Sequence, residues 1–192
     1  MNNTVVFYGD SRAADWPPPA LPQFTFINRG VGGQTSAEAV ALVNHVLVGL
    51  RPQIVVVQIG INDLSVLTFN PGQRQPIVAA CQNNIRQLVS RLEKLSEQVV
   101  LTTIFPVGDA GLFFYDVAEV IDAVDEVNAA IHSLAGLNIT VFDAFSILVA
   151  DDGLVQPNFA LDMLHLNRQG YAALNRELSD ALTTLAGPPS PA

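Results

Sequence analysis

The chain has a single cysteine, a single lysine and few charges of either sign, charged residues making up only 14% of it. Cys81 can form no internal disulfide, and no zinc cluster can be assembled around it; it reads as a small buried hydrophobe. Lysine and arginine total 9 against 18 acidic residues, a net charge of −9. Such a surface repels phosphate backbones and anionic head groups, which argues against nucleic acid and membrane surfaces as partners. No run approaches the roughly 18 apolar residues of a membrane span, so no stable membrane insertion is expected. Met1 to Thr4 carry no positive n-region, and the first apolar run is too short for a signal peptide, so a cytoplasmic, reducing location is the expectation. The dinucleotide pattern GxGxxG and the phosphate loop GxxxxGK[ST] are both missing, as is the G-x-S-x-G elbow of the ordinary α/β-hydrolase fold.

What is present is apolar. Hydrophobic residues make up 49% of 192 residues, a composition that is globular and sufficient for a core without metal or disulfide. One domain over residues 1–187 is expected, with 188–192, rich in proline, as a flexible tail. Val5 to Tyr8 read as a short buried strand entering the turn Gly9-Asp10-Ser11. Trp16-Pro17-Pro18-Pro19 reads as a stiff surface loop. Residues 24–28 form a second strand, followed by Gly30-Val31-Gly32-Gly33. Thr35 and Glu38 have capping-box spacing at the start of a helix whose apolar positions include Val40, Val43 and Leu47. Ile54 to Ile59 is a near-continuous apolar run, the mark of a strand buried on both faces of a parallel sheet. Residues 64–76 read as a loop, 77–95 as a helix, 99–105 as a strand, 106–115 as a loop, 117–134 as a helix and 139–142 as a fifth strand. Phe145 to Val149 form a helical turn, 151–166 is irregular, and Asn167 caps a last helix over 169–185.

Strands alternating with helices imply an α/β fold, a three-layer α/β/α flavodoxin-like sandwich on a five-stranded parallel sheet. Right-handed crossovers favour the strand order 2-1-3-4-5. In that order Ser11, Gly33 and Asn62 each follow the C-terminal end of a strand, and three loops bring them to one crevice.

Ser11 needs a base before its hydroxyl is a useful nucleophile. His45 and His132 fall inside helices and read as structural or surface residues. His165 lies in the irregular segment and follows Asp162 at the spacing Asp-x-x-His. A carboxylate there can orient the imidazole and stabilise its charged form, although such pairs are more often caps or surface contacts. The Gly30, Gly32 and Gly33 cluster is either a flexible turn or a source of backbone amides for an anion. Asn62 is either an ordinary turn residue or a side-chain amide donor to an oxyanion. Asp63 reads as a cap.

Four blocks thus occur in order: Gly9-Asp10-Ser11, Asn28-x-Gly30-x-x-Gly33, Gly60-x-Asn62-Asp63 and Asp162-x-x-His165. This set resembles the SGNH hydrolases, the GDSL esterase/lipase family. The resemblance implies that Ser11 is the nucleophile, His165 the general base and acid, and Asp162 the orienting carboxylate. It implies an oxyanion hole of the Ser11 amide, the Gly33 amide and the Asn62 side chain, with Asp10 shaping the turn. The implied activity is hydrolysis of a small-molecule carboxylic ester of short or medium acyl chain, or an acetyl ester of a sugar, with no metal or organic cofactor. Transfer of the acyl group to an alcohol is the variant on the same site. The competing reading is a non-enzymatic flavodoxin-like module that binds a small ligand, and a monomer and a homodimer are both compatible with the composition. One position departs from the family: the residue after the serine is usually leucine and here is Arg12. It reads as a solvated surface arginine, with contact to an anionic substrate as the alternative. Leu67, Phe69, Phe113, Phe114 and Tyr115 are expected to offer an apolar wall to the substrate.

Overall fold

The computed structural model describes residues 3–109 and 117–187. Its sheet is five-stranded and parallel in the order β2-β1-β3-β4-β5. The strands are β1 Thr4–Gly9, β2 Thr25–Gly30, β3 Ile54–Gln58, β4 Gln98–Thr102 and β5 Ile139–Phe142. The helices are α1 Ser11–Ala14, α2 Ser36–Val46, α3 Ile61–Leu64, α4 Arg74–Leu92, α5 Ala118–His132, α6 Ala144–Leu148 and α7 Arg168–Ala186. Every residue of β3 is buried, the apolar Ile54 to Val57 and the polar Gln58 alike, as befits a central strand covered on both sides.

Alternation along the strands splits the core in two. Val6, Tyr8, Val55, Val57, Val99 and Leu101 face a layer built by α2, α4 and α5. Val5, Phe7, Ile54, Val56, Val100 and Phe142 face α6, α7 and the segment before β2. Trp16 plugs that second core, 1% exposed, with ring centroids 5.5 Å from Phe7, 5.6 Å from Phe105 and 6.0 Å from Tyr171. Its indole donates to Asn175 Oδ1 at 2.8 Å. Burying a ring of that size is worth about 4 to 6 kcal/mol as an upper bound. Only Pro17 and Pro18 of the expected surface loop are exposed; Trp16 is a core residue, because α7 supplies both an apolar seat and a polar partner for its N–H.

The other departures are local. The expected loop at 64–76 is instead the end of α3, two 3-10 turns, Ser65–Thr68 and Pro71–Gln73, and the start of α4. Leu67 is consequently in the core at 1% exposure, while Phe69 is 70% exposed, so these two do not form one wall. Strand β4 stops at Thr102 rather than running to Phe105. Beyond it the Asn128 side chain, projecting from α5, exchanges two hydrogen bonds with the backbone of Ile104, at 2.7 and 3.0 Å. A buried side-chain amide thereby satisfies polar groups that a ladder would otherwise pair. Phe113, Phe114, Tyr115 and the 188–192 tail lie outside the described residues. Among the described residues, no helix is long and apolar enough to cross a membrane.

Candidate active site

The first strand ends in a turn that only glycine can make. Gly9 has φ +146°, and a Cβ there would lie 1.6 Å from the Gln58 carbonyl oxygen of the neighbouring strand. The Asp10 amide donates to that same carbonyl at 3.1 Å. Asp10 then caps α1, its Oδ1 accepting the Arg12 amide at 2.9 Å. The sequence reading has a turn here rather than a helix, yet this one-turn helix fixes Ser11 at the first helical position. The Ser11 amide is among the free donors at a helix start and meets no protein acceptor among the described residues.

Asp10 is fully buried, and its second oxygen, Oδ2, has no hydrogen-bond partner among the described residues. Burial pushes its pKa up to about 6, against the opposing pull of the Arg12 charge and amide.

Ser11, Asp162 and His165 come together. Ser11 Oγ lies 3.0 Å from His165 Nε2. On the far side of the ring, Nδ1 lies 2.9 and 3.0 Å from the two oxygens of Asp162. The Asp-x-x-His segment is a tight loop rather than a helical turn. Asp162 Oδ1 accepts the amides of Leu164 and His165, each at 2.8 Å, and the Leu161 amide donates to the His165 carbonyl at 2.9 Å. Partial burial works against the Asp162 charge, but the amide and imidazole donors outweigh it and hold the pKa below the usual carboxylate value. The loop is seated on Gly108, whose amide donates to the Met163 carbonyl at 2.7 Å. A Cβ on Gly108 would come within 2.6 Å of the Asp162 carbonyl oxygen, so only glycine allows so close an approach.

Gly33 sits in a turn closed by the Gln34 amide on the Val31 carbonyl at 3.1 Å, with φ +75° at the third position, as in glycine-demanding type II turns. Its amide meets no protein acceptor among the described residues. Asn62 Nδ2 donates to the Gln34 carbonyl at 3.0 Å, which fixes the side chain beside Gly33 and leaves one of its two N–H groups for another acceptor. Asp63 does cap, but on a neighbouring element. Its carboxylate accepts the Ser36 amide at 2.8 Å and the Ser36 hydroxyl at 2.6 Å, binding the start of α2 to α3. The capping box of Thr35 and Glu38 is formed, with the Thr35 amide donating to Glu38 at 2.9 Å.

The second block is held to the first. Asn28 Nδ2 donates to the Ala13 carbonyl at 2.8 Å, and the Val31 amide donates to the Gly9 carbonyl at 2.8 Å. A Cβ on Gly30 would lie 2.3 Å from the Ala14 nitrogen, so the strand and α1 touch backbone to backbone.

Within the site, Arg12 is where the structure departs from the sequence expectation. It is fully buried, not solvated, and is out of reach of an anionic substrate. Nε donates to the Leu164 carbonyl at 2.6 Å, Nη1 to the Phe105 carbonyl at 2.8 Å and Nη2 to the Pro106 carbonyl at 3.1 Å. Its guanidinium carbon stands 5.4 Å from the Phe105 ring centroid. Burial pulls its pKa down to about 10, so it remains charged at neutral pH. The other two histidines stay apart from the site: His45 is exposed on α2, and His132, half exposed at the end of α5, lies 4.0 Å from Asp143. Cys81 is buried, and burial pushes its thiol pKa up, which leaves it inert. Among the described residues, no group of three metal-ligating side chains is found.

Comparison with known proteins bears on the family and the fold. No curated protein matches the chain. Among solved structures, a GDSL-like lipase from Bacteroides thetaiotaomicron superposes with a TM-score of 0.77 at 22% identity, covering 94% of this chain and 88% of that one. A lipase from a goat rumen metagenome superposes at 0.72 with 14% identity, covering 93% and 96%. An acetylxylan esterase from Geobacillus stearothermophilus does so at 0.68 with 18% identity, covering 95% and 96%. These likenesses establish the fold. The GDSL-like lipase/acylhydrolase family model matches residues 3–173, and the chain therefore belongs to that family and is an ester-hydrolysing enzyme, not a flavodoxin-like binding module.

Proposed function

We propose that this enzyme cleaves carboxylic esters of short or medium acyl chain, acetyl esters of small molecules and sugars among them, through a covalent acyl-enzyme on Ser11. The observation that carries the reading is the unbroken line of contacts from Ser11 Oγ through His165 Nε2 and Nδ1 to the Asp162 carboxylate. His165 takes the Ser11 proton as Oγ attacks the acyl carbon, and Asp162 holds the imidazole in the tautomer with Nε2 free to accept. The oxyanion is stabilised by the Ser11 amide, the Gly33 amide and the second N–H of Asn62. The first two meet no protein acceptor among the described residues, and the third is aimed by the Gln34 carbonyl. His165 returns the proton to the leaving alcohol. Water, deprotonated in turn by His165, then releases the acid and restores Ser11. An alcohol in place of that water gives acyl transfer from the same intermediate. None of these steps calls on a metal or organic cofactor.

Labelling with a fluorophosphonate tests the reading. Phosphonylation at Ser11, with fluoride leaving and the proton passing to His165, is the expected mass shift, and ester hydrolysis is lost with it. Full ester hydrolysis by protein that carries no label at Ser11, after prolonged exposure to excess reagent, would overturn it.

A further inference from the structure

The side chain of Arg12 reaches no solvent, so it does nothing for a substrate directly. What it does is join segments that are far apart in sequence. Its amide is held by Asp10 at 2.9 Å, and its carbonyl accepts the Tyr171 hydroxyl at 2.9 Å. Its guanidinium bonds the carbonyls of Phe105 and Pro106 just past β4, and that of Leu164. Leu164 is the residue between Met163 and His165, within the loop whose Asp162 carboxylate accepts two amides and contacts the imidazole. A fixed fork of donors suits three carbonyls in a way that a flexible point charge does not. One side chain thus ties the helix that carries the nucleophile to the loop that carries its base.

We propose that Arg12 is a positioning residue that sets the Ser11–His165 distance, an inference that rests on the nucleophile and base roles given above. A leucine here has no donor for these three carbonyls and cannot join the two in this way. Arg12 therefore spans the gap with hydrogen bonds, and the 3.0 Å contact between Ser11 Oγ and His165 Nε2 depends on them. Misplacement by about 1 Å at a reacting pair costs on the order of 10²-fold in rate. The loss falls on the chemical step, because no substrate atom touches Arg12.

The test compares Arg12→Met and Arg12→Lys with the wild type, each assayed well below its own melting temperature. Leu182→Ala serves as the control for lost stability, since Leu182 is buried on α7 and belongs to no part of the active site. With a p-nitrophenyl acetate assay, Arg12→Met is expected to lose about 10²-fold in kcat with KM nearly unchanged, and to slow phosphonylation of Ser11 by a similar factor. Arg12→Lys keeps the charge but not the fork and should fall between Arg12→Met and wild type in both readouts. Leu182→Ala should melt earlier with kcat and phosphonylation unchanged. Wild-type kcat in Arg12→Met, or in Arg12→Lys if the methionine variant does not fold, would overturn the proposal. So would a loss in an Arg12 variant no larger than that of Leu182→Ala. Wild-type protein inert to both ester and probe would instead sink the functional reading on which it rests.

Discussion

Replacing Asp10 with asparagine isolates the contribution of one buried charge to stability. In the folded chain burial raises the Asp10 pKa from 3.8 to about 6. A raised carboxyl pKa means that the folded state holds a proton which the unfolded chain has already released. Stability from this group is therefore greatest at low pH and is lost as pH rises through about 6. Above that pH the ionised, fully buried carboxylate costs about 3 kcal/mol, two pKa units at 1.36 kcal/mol each. Between pH 8 and pH 5 only one of those two units is recovered, a gain of about 1.4 kcal/mol. The asparagine of Asp10→Asn keeps an oxygen for the Arg12 amide and has no charge to titrate, and Arg12 stays protonated across this range. The assay is urea unfolding of both proteins at pH 8 and pH 5, with the change in the difference between them as the readout. Titrating groups remote from Asp10 are common to both proteins and cancel, while Asp63 and His165, which interact with the Asp10 charge, contribute to the difference. Wild type should gain about 1.4 kcal/mol on Asp10→Asn between the two pH values. A difference that does not change with pH would refute the argument that burial sets this carboxyl's pKa.

Three further substitutions probe separate parts of the account. Asn62→Ala should cost 10²- to 10³-fold in kcat, the usual loss of one oxyanion donor, while the melting temperature moves by only a few degrees. Gly30→Ala would place a Cβ 2.3 Å from the Ala14 nitrogen and against only the Ala13-Ala14 backbone, with no flexible side chain to yield; a drop of several kcal/mol in urea unfolding is expected, and a loss under 1 kcal/mol would contradict the close approach. Ser36→Ala removes both the hydroxyl bond to Asp63 and the one received from Asn84, and should destabilise the fold by about 1–3 kcal/mol, read from the same urea unfolding curves.

The fold and the candidate site differ in how much of them the sequence discloses. The strands and the four blocks are legible because their signals are local: a glycine and an acid closing the first apolar run, a cap at Asn167, an apolar run at Ile54 to Ile59. Asp-x-x-His is legible for the same reason, its carboxylate and imidazole being three residues apart. Arg12 is not, because its partners are backbone carbonyls 93, 94 and 152 residues away, and a carbonyl acceptor leaves no mark in the sequence. One signal is there: Asp10 ahead of Arg12-Ala13-Ala14 is a helix cap, and a capped turn at the end of a buried strand can carry its second residue inward. Trp16 is misjudged because proline follows it, and three prolines say more about backbone than about where the preceding ring packs. The end of β4 is missed because Asn128, which takes over from the ladder, is 24 residues further along.

On the reading proposed above, everything turns on Ser11 as the nucleophile. The most direct measurement is the rate of p-nitrophenyl acetate hydrolysis by Ser11→Ala, with circular dichroism and thermal melting to show that the fold is kept. Ser11 is at a helix start, its side chain is half-buried and its hydroxyl contacts His165, so the substitution should leave the fold intact. The expected result is a loss of at least about 10⁴-fold in kcat with the melting temperature within a few degrees of wild type. A folded Ser11→Ala that hydrolyses the ester at a rate near that of wild type would contradict it.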